Sequence, residues 1–367
     1  MMVADPSTRR QITQWLRHKL ESGELKAGDK IPTTLELAAI WSTQEPTIQR
    51  ALLPLVREGY LVRSPRRGTF VSNRSRHFEN VGIYAPKRIW ANEGNAFSRA
   101  LTYEIQHHLE KADMTNQLFI DARPDSKQSG IWDALLDIAA TNRLDALLAP
   151  SIDLPHMRWL NKLPIPVVYF ASLNISNATG VDVRSMARYA LDLLAEQGAK
   201  SVGLVFSVPL ELNPDGTENE AHAFLRTWVE YARELGLEQN EEDCIFLSTQ
   251  SHKLRDLHLV EQFGYDAMLK LLKKKNRPDG TFVYTDFAAR GAIVACNYGA
   301  DFSKDIKLAL YRNSKLGLFC PRPAAFVELK TEKVAAAMIE QARRMRLGEP
   351  FAQQRVSYDK ISAPSLK

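Results

Sequence analysis

Arg66 and Arg67 stand beside Gly68 between two short runs rich in β-branched and aromatic residues, a spacing that puts two guanidinium groups at the tip of a hairpin. Such a tip suits the narrow, electronegative minor groove of duplex DNA. Upstream, Gln49 and Arg50 share a helical face with Thr47 and Leu53, opposite the apolar stripe Ile48, Ala51, Leu52, Leu55 and Val56. Amide and guanidinium side chains on one helix face can pair with base edges in a major groove. Thr33, Thr34 and Gln44 are short polar residues at the starts of helical stretches, suited to the same backbone and bases. A different chemistry is offered by Asp286, just past the apolar run at 280–284. A carboxylate there can accept two hydrogen bonds from adjacent hydroxyls of a sugar, or cap the helix that follows. Trp90, Phe97 and Phe170 can stack on a sugar ring or pack into a core.

Other chemistries leave no mark. There is no phosphate-binding loop, no dinucleotide fingerprint, no nucleophile elbow and no zinc spacing. Cys244, Cys296 and Cys320 are too scattered for a zinc site or a disulfide framework, and point to a reducing cytoplasm. The adjacent pair His107–His108 faces two ways on a helix and makes no metal site. Neither a signal peptide nor a membrane span is apparent. No catalytic residue, cofactor or metal is expected.

Charge singles out the beginning of the chain. Residues 1–80 hold 13 Lys+Arg against 8 Asp+Glu, whereas the remaining 287 residues hold 35 of each, so the whole net charge of +5 lies in the first segment. A small basic module on a neutral body suggests a phosphate-bearing partner.

The elements that must position these residues follow from periodicity. A first helix carries Ile12, Trp15, Leu16 and Leu20 on one face, with Ser7 or Thr8 as its cap, and ends near Ser22-Gly23. Residues 24–32 read as a loop. Thr33 or Thr34 caps a short second helix through Trp41, and Pro46 opens a third that ends at Gly59, with a kink expected at Pro54. Strands at 60–64 and 69–71 flank the basic turn. Three helices and a basic hairpin make a winged helix-turn-helix, with the third helix in the major groove.

This segment resembles the GntR family. The resemblance is carried by Gly23-Glu-Leu-Lys-Ala-Gly-Asp-Lys-Ile-Pro32, Leu37-Ala38, Thr47-Ile-Gln-Arg-Ala-Leu52, Glu58-Gly-Tyr-Leu-Val62 and Arg67-Gly-Thr-Phe-Val71, in the family's order and spacing. Two positions depart from it. Leu35 stands where the family places a DNA-contacting arginine, and Gln44-Glu45 where it places Ser-Arg.

After a polar linker, strand-like runs at 81–85, 117–121, 144–149, 166–170, 201–206, 245–248, 280–284 and 306–310 alternate with helical stretches, among them 129–141 and 287–298. Such alternation implies parallel sheets covered by helices, here in two sets and so two lobes, with a ligand site at the carboxyl ends of the strands. The Glu-rich run 238–243 reads as a surface loop and Lys273-Lys-Lys275 as a solvated helix end. This region resembles the LacI/GalR-type effector domain, built like a periplasmic sugar-binding protein. The matching blocks are Val81-Gly-Ile-Tyr-Ala-Pro86, Asn95-Ala-Phe97, Arg143-Leu-Asp-Ala-Leu-Leu148, Ile165-Pro-Val-Val168, Val181-Asp-Val183 and Val283-Tyr-Thr-Asp286. Here Leu310-Tyr-Arg-Asn313 replaces the family's Gly-Phe-Asp. The resemblance implies ligand contacts at Asn95, Phe97, Ser151, Phe170, Asp286 and Asn313.

The expected whole is a winged head (1–72), a linker (73–79) and a two-lobed effector-binding body (80–367), with lobe one near 80–175 plus a C-terminal return and lobe two near 176–320. It implies a cytoplasmic homodimeric regulator, a repressor, that binds operator DNA and a sugar-like effector. The alternatives are a small-molecule enzyme with a DNA-targeting head, and a regulator whose cleft takes a protein partner.

Overall fold

The computed structural model describes residues 6–22, 24–57, 60–64, 67–72, 78–91, 95–141, 143–151, 154–171, 175–212, 216, 218–248, 257–298 and 306–363.

The head consists of α1 (Pro6–Glu21), α2 (Thr34–Ile40), α3 (Glu45–Arg57), β1 (Leu61–Ser64) and β2 (Gly68–Val71). Ile12 and Leu16 of α1, Leu37 of α2, and Ile48, Ala51, Leu52 and Leu55 of α3 form one buried cluster. Thr13 ties α1 to α3 by donating its hydroxyl to the Ala51 carbonyl at 2.9 Å. The second helix starts in a capping box: the Thr33 hydroxyl accepts from the Glu36 amide, and the Glu36 carboxylate accepts from Thr33 N–H. These bonds, that from the Thr33 backbone foremost, hold the Glu36 carboxyl below its ordinary range. Helix α1 begins at Pro6, so Ser7 and Thr8 lie inside it rather than capping it. Proline suits a first helical turn because it has no N–H to leave unpaired. Helix α3 continues for three residues past Pro54. The wing strands β1 and β2 are antiparallel, with Leu61 opposite Val71 and Ser64 opposite Gly68. The expected loop at 24–32 is more ordered than its glycines suggest. Gly28 and Ile31 donate to the Val71 and Thr69 carbonyls at 2.9 and 3.0 Å and add a third edge to the ribbon.

The body runs β3 (Asn80–Pro86), α4 (Arg88–Ala91), α5 (Ala96–Lys111), β4 (Thr115–Asp121), α6 (Asp125–Gln128), α7 (Asp133–Ala140), β5 (Ala146–Ala149), α8 (Leu154–Leu160), β6 (Val167–Phe170) and β7 (Ala178–Val181). It continues through α9 (Val183–Glu196), β8 (Ser201–Phe206), α10 (Glu220–Glu234), β9 (Glu238–Phe246), α11 (Leu257–Leu272), β10 (Gly280–Tyr284), α12 (Asp286–Tyr298), β11 (Lys307–Asn313) and β12 (Ala325–Leu329). The last elements are α13 (Thr331–Leu347), β13 (Gln354–Val356) and β14 (Asp359–Ile361). One sheet has the order β13-β7-β6-β5-β3-β4 and is parallel throughout. The other has the order β14-β12-β11-β10-β8-β9 and is parallel except for β14.

The chain passes between the sheets after β7, after β12 and after β13. Asp182 in the first passage donates its N–H to the Val356 carbonyl of the third at 3.0 Å, and its side chain caps α9. Because β7 belongs to the first sheet, the passage falls at residue 182 rather than near 176. The helix expected at 129–141 starts only at Asp133, as α7, because Gly130 and Ile131, between it and the short α6, turn their carbonyls to Arg123. The run 238–243 is no surface loop. It begins edge strand β9, whose Asp243 is buried and ion-paired with Lys274 at 2.6 Å. Glutamates along an outer strand discourage further strand pairing.

In the second lobe, a Cβ on Gly264 would overlap the carbonyl of Ala288, and one on Gly291 that of Glu261. These two glycines let α11 and α12 approach backbone to backbone. At the start of the body, Phe78 is buried in the core. The N–H groups of Glu79 and Asn80 both donate to Asp145 at 3.0 Å, and Asp145 in turn faces Arg346 of α13 at 3.3 Å.

Candidate nucleic-acid interface and interlobe site

The DNA-facing candidates of the head fall into three places. At the start of α2, Thr33 is exposed but its hydroxyl serves the capping box, and Thr34 donates its hydroxyl to Glu45 Oε2 at 3.0 Å. At the start of α3, Gln44 is exposed and its carbonyl accepts from Thr47 N–H at 2.9 Å. Gln49 and Arg50 are exposed one turn on, and among the described residues neither meets a carboxylate. Thr47 is a correction: it is only 4% exposed. Spacing explains this, since residue 47 lies one helical turn before Ala51 and so flanks the apolar stripe.

In the wing, Arg67 is exposed and its N–H donates to the Ser64 carbonyl at 3.1 Å, closing the turn. Arg66 lies outside the described residues. Gly68 has φ of 118°, which disfavours any side chain, and a Cβ there would come 2.6 Å from Lys30 Cε. Lys30, which sequence reasoning did not single out, thus lies along the wing turn and adds a cation beside Gly68. Its place in the block ending Ile31-Pro32 was the only available signal.

Of the six interlobe candidates, the structure joins four in two pairs. Asn313, at the end of β11, donates its amide to Asp286 Oδ2 at 3.0 Å, while its own carbonyl accepts from the Tyr311 hydroxyl at 2.9 Å. Asp286 begins α12 and is 3% exposed, and burial pushes its carboxyl above the ordinary range. Phe97 of α5 and Phe170 of β6 pack with ring centroids 5.1 Å apart. Asn95 donates its amide to the Arg88 carbonyl at 3.2 Å and so braces the turn before α5. Ser151 is half-buried two residues past the end of β5. Trp90 is exposed and makes no part of either pair.

An aromatic row escaped the sequence. Phe206 at the end of β8 stacks on Tyr284 at 4.6 Å, and Tyr284 meets Tyr311 edge-on at 4.8 Å. Burial pushes the Tyr284 hydroxyl well up. Strand ends 206, 284 and 311–313 are neighbours only through the sheet order, which sequence does not give. Ion pairs also join the lobes. Lys315, just beyond β11, reaches the buried Glu104 of α5 at 3.0 Å, and Arg355 of β13 approaches Glu220 at the start of α10 at 3.5 Å.

Residues 8–71 match the family described as bacterial regulatory proteins, gntR family, and residues 191–361 match the periplasmic binding protein-like domain. The chain joins a GntR-family head to a periplasmic-binding-protein-like body. The GntR head is 37% identical over 65 residues to the uncharacterized HTH-type transcriptional regulator YcbG of Bacillus subtilis, covering 18% of this chain and 28% of the relative. Catabolite control protein A of Priestia megaterium is 26% identical over 170 residues, 44% of this chain and 45% of its own. The matched stretch thus spans less than half the length of either curated relative. The fold of the body is that of a LacI family transcription regulator from Clostridium acetobutylicum, at a TM-score of 0.56 and 20% identity, covering 77% of this chain and 98% of that one. Among the described residues no helix is long and apolar enough to cross a membrane, and no cluster of His, Cys, Asp and Glu could hold a metal ion.

Proposed function

We propose that this protein is a transcription regulator, acting as a cytoplasmic homodimeric repressor, whose operator affinity is set by a sugar-like molecule bound between the two lobes. The observation that carries the DNA half is the placement of Gln49 and Arg50 on the exposed face of α3, opposite a complete core stripe, in a GntR head holding the chain's whole positive excess. One such head makes few base contacts, so two half-sites and a dimer supply the specificity. Thr33, Thr34, Gln44, Gln49, Arg50, Arg66, Arg67 and Gly68 make up the proposed surface, while the burial of Thr47 leaves it to shape the helix from within.

The effector half rests on Asp286. A carboxylate this buried, held on one side by Asn313, is positioned to accept hydrogen bonds from vicinal hydroxyls, and Phe97 with Phe170 offers a face for the apolar side of a sugar ring. Asn95 and Ser151 complete the proposed set of ligand contacts. Both halves meet in one experiment. Full-length protein is titrated with duplex DNA from a selected operator by fluorescence anisotropy, alone and with each sugar that raises its melting temperature in a thermal-shift screen. A ligand that stabilises the folded protein and weakens operator binding supports the reading. Binding to DNA that no stabilising sugar alters would separate the cleft from the head.

A further inference from the structure

We propose that Glu45 reads a cytosine in each operator half-site by accepting a hydrogen bond from the base's N4 amino group, and that Thr34 is the positioning residue that aims it. This rests on the operator-binding reading above and states what sequence that surface selects. Glu45 is the first residue of α3 and is exposed. Its Oε2 accepts from the Thr34 hydroxyl at 3.0 Å, so the carboxylate is tethered between the starts of α2 and α3. Among the described residues no cation pairs with it. Leu35, 66% exposed at the position where related heads carry an arginine, offers no charge to neutralise it.

A carboxylate on a surface that meets phosphates weakens binding to every DNA sequence alike. Its contribution is therefore to selectivity, and selectivity by an acceptor requires a base that donates. The major groove presents two such donors, cytosine N4 and adenine N6. Adenine sets its acceptor N7 beside N6, facing the carboxylate and repelling it. Cytosine sets a C5–H beside N4, which does not. The neighbouring exposed side chains, Gln44, Gln49 and Arg50, can donate, so Glu45 is the acceptor-only member of the group.

The test is selection of binding sites from a randomised duplex DNA library by the full-length protein and by Glu45→Gln, which keeps size and removes the charge. The wild-type motif should contain one C·G pair per half-site whose replacement costs about tenfold in affinity. In Glu45→Gln that position alone should lose its preference or move to adenine, which a glutamine amide pairs with at N6 and N7. Thr34→Val should keep the cytosine and weaken its preference, because the acceptor remains but is no longer aimed. An unchanged motif in Glu45→Gln, with equal ratios at every position and an unchanged melting temperature, overturns the proposal and returns Glu45 to a helix-end charge. A wild-type protein that enriches no motif overturns the operator reading itself.

Discussion

The head and the body use their sequence in opposite ways. Between Thr33 and Gly68 the head gathers all its proposed contacts within three adjoining elements, each side chain placed by its own helix or turn. The site proposed for the body draws on residues 95, 97, 151, 170, 286 and 313, on helices, strands and loops of both lobes that share no local sequence. A local site can be altered residue by residue with little effect elsewhere. A distributed site depends on how whole helices pack, so its weakest points lie far from the ligand.

The largest effect is expected from Gly291→Ala. The added methyl would overlap the Glu261 carbonyl and force α11 and α12 apart, at a cost of about 3 kcal/mol or more, since backbone cannot yield as a side chain does. Chemical denaturation should show the second lobe unfolding earlier, with effector binding lost. Operator binding at low temperature without effector should persist, and its loss would mean that the head leans on the body.

Next in size is the double change Arg50→Ala with Arg67→Ala. Each removed cation should lower operator affinity by roughly tenfold and flatten the salt dependence by about one counterion. Anisotropy titrations at several salt concentrations check this, and an unchanged slope would take both residues off the phosphate backbone. Effector affinity should stay as it was.

Asp286→Asn should lower effector affinity about tenfold, since hydrogen bonds to charged groups are worth about 1.5–3 kcal/mol. It should also raise the melting temperature, by about 2 °C. Burial raises this carboxyl's pKa, so its charged form costs stability, and that cost grows as pH climbs through a window above the ordinary aspartate value. Effector affinity runs the other way and fades as pH falls through the same window. Calorimetry with equal affinities would reduce Asp286 to a helix-start residue. The smallest effect is expected from Glu104→Gln. It removes the interlobe pair with the half-exposed Lys315, and should change effector affinity less than fivefold while abolishing part of its salt dependence.

How much was legible follows the same division. The head's three helices and wing announce themselves through a single-sided stripe and a Gly-marked turn, and the error at Thr47 came from trusting residue type over position. In the body, α12 was plain: the stretch read at 287–298 matches it to within one residue. Strand β7, Ala-Thr-Gly-Val, was not legible, since four residues with a central glycine look like a turn until two neighbours pair with them. Strands β13 and β14 are three residues each, too short to show a period. Asp286 could be found from its place after a strand, whereas its partnership with Asn313 and Tyr311 depends on strands 27 residues apart lying side by side.

The seating of Phe78 and of the Glu79 and Asn80 amides on Asp145 shortens the tether between head and body. The last residue of the wing sheet's hydrogen-bonded edge, Ser72, donates to the Tyr60 carbonyl, so residues 73–77 are all that separates the described head from the described body. Even fully extended, the span from Ser72 to Phe78 reaches about 20 Å. In the proposed dimer so short a connection would make capture of the second half-site an intramolecular event, at an effective concentration of about millimolar. Effective concentration falls off with tether length to about the three-halves power, so a few added residues should dilute it only modestly. A Gly/Ser insertion after Ser75 should therefore leave operator binding nearly intact while broadening the tolerated distance between half-sites, and it should uncouple the heads from any rotation of the lobes. Arg346 joins this anchorage to α13, which packs on the same sheet, so the connection to the head leaves from the first lobe as one packed unit.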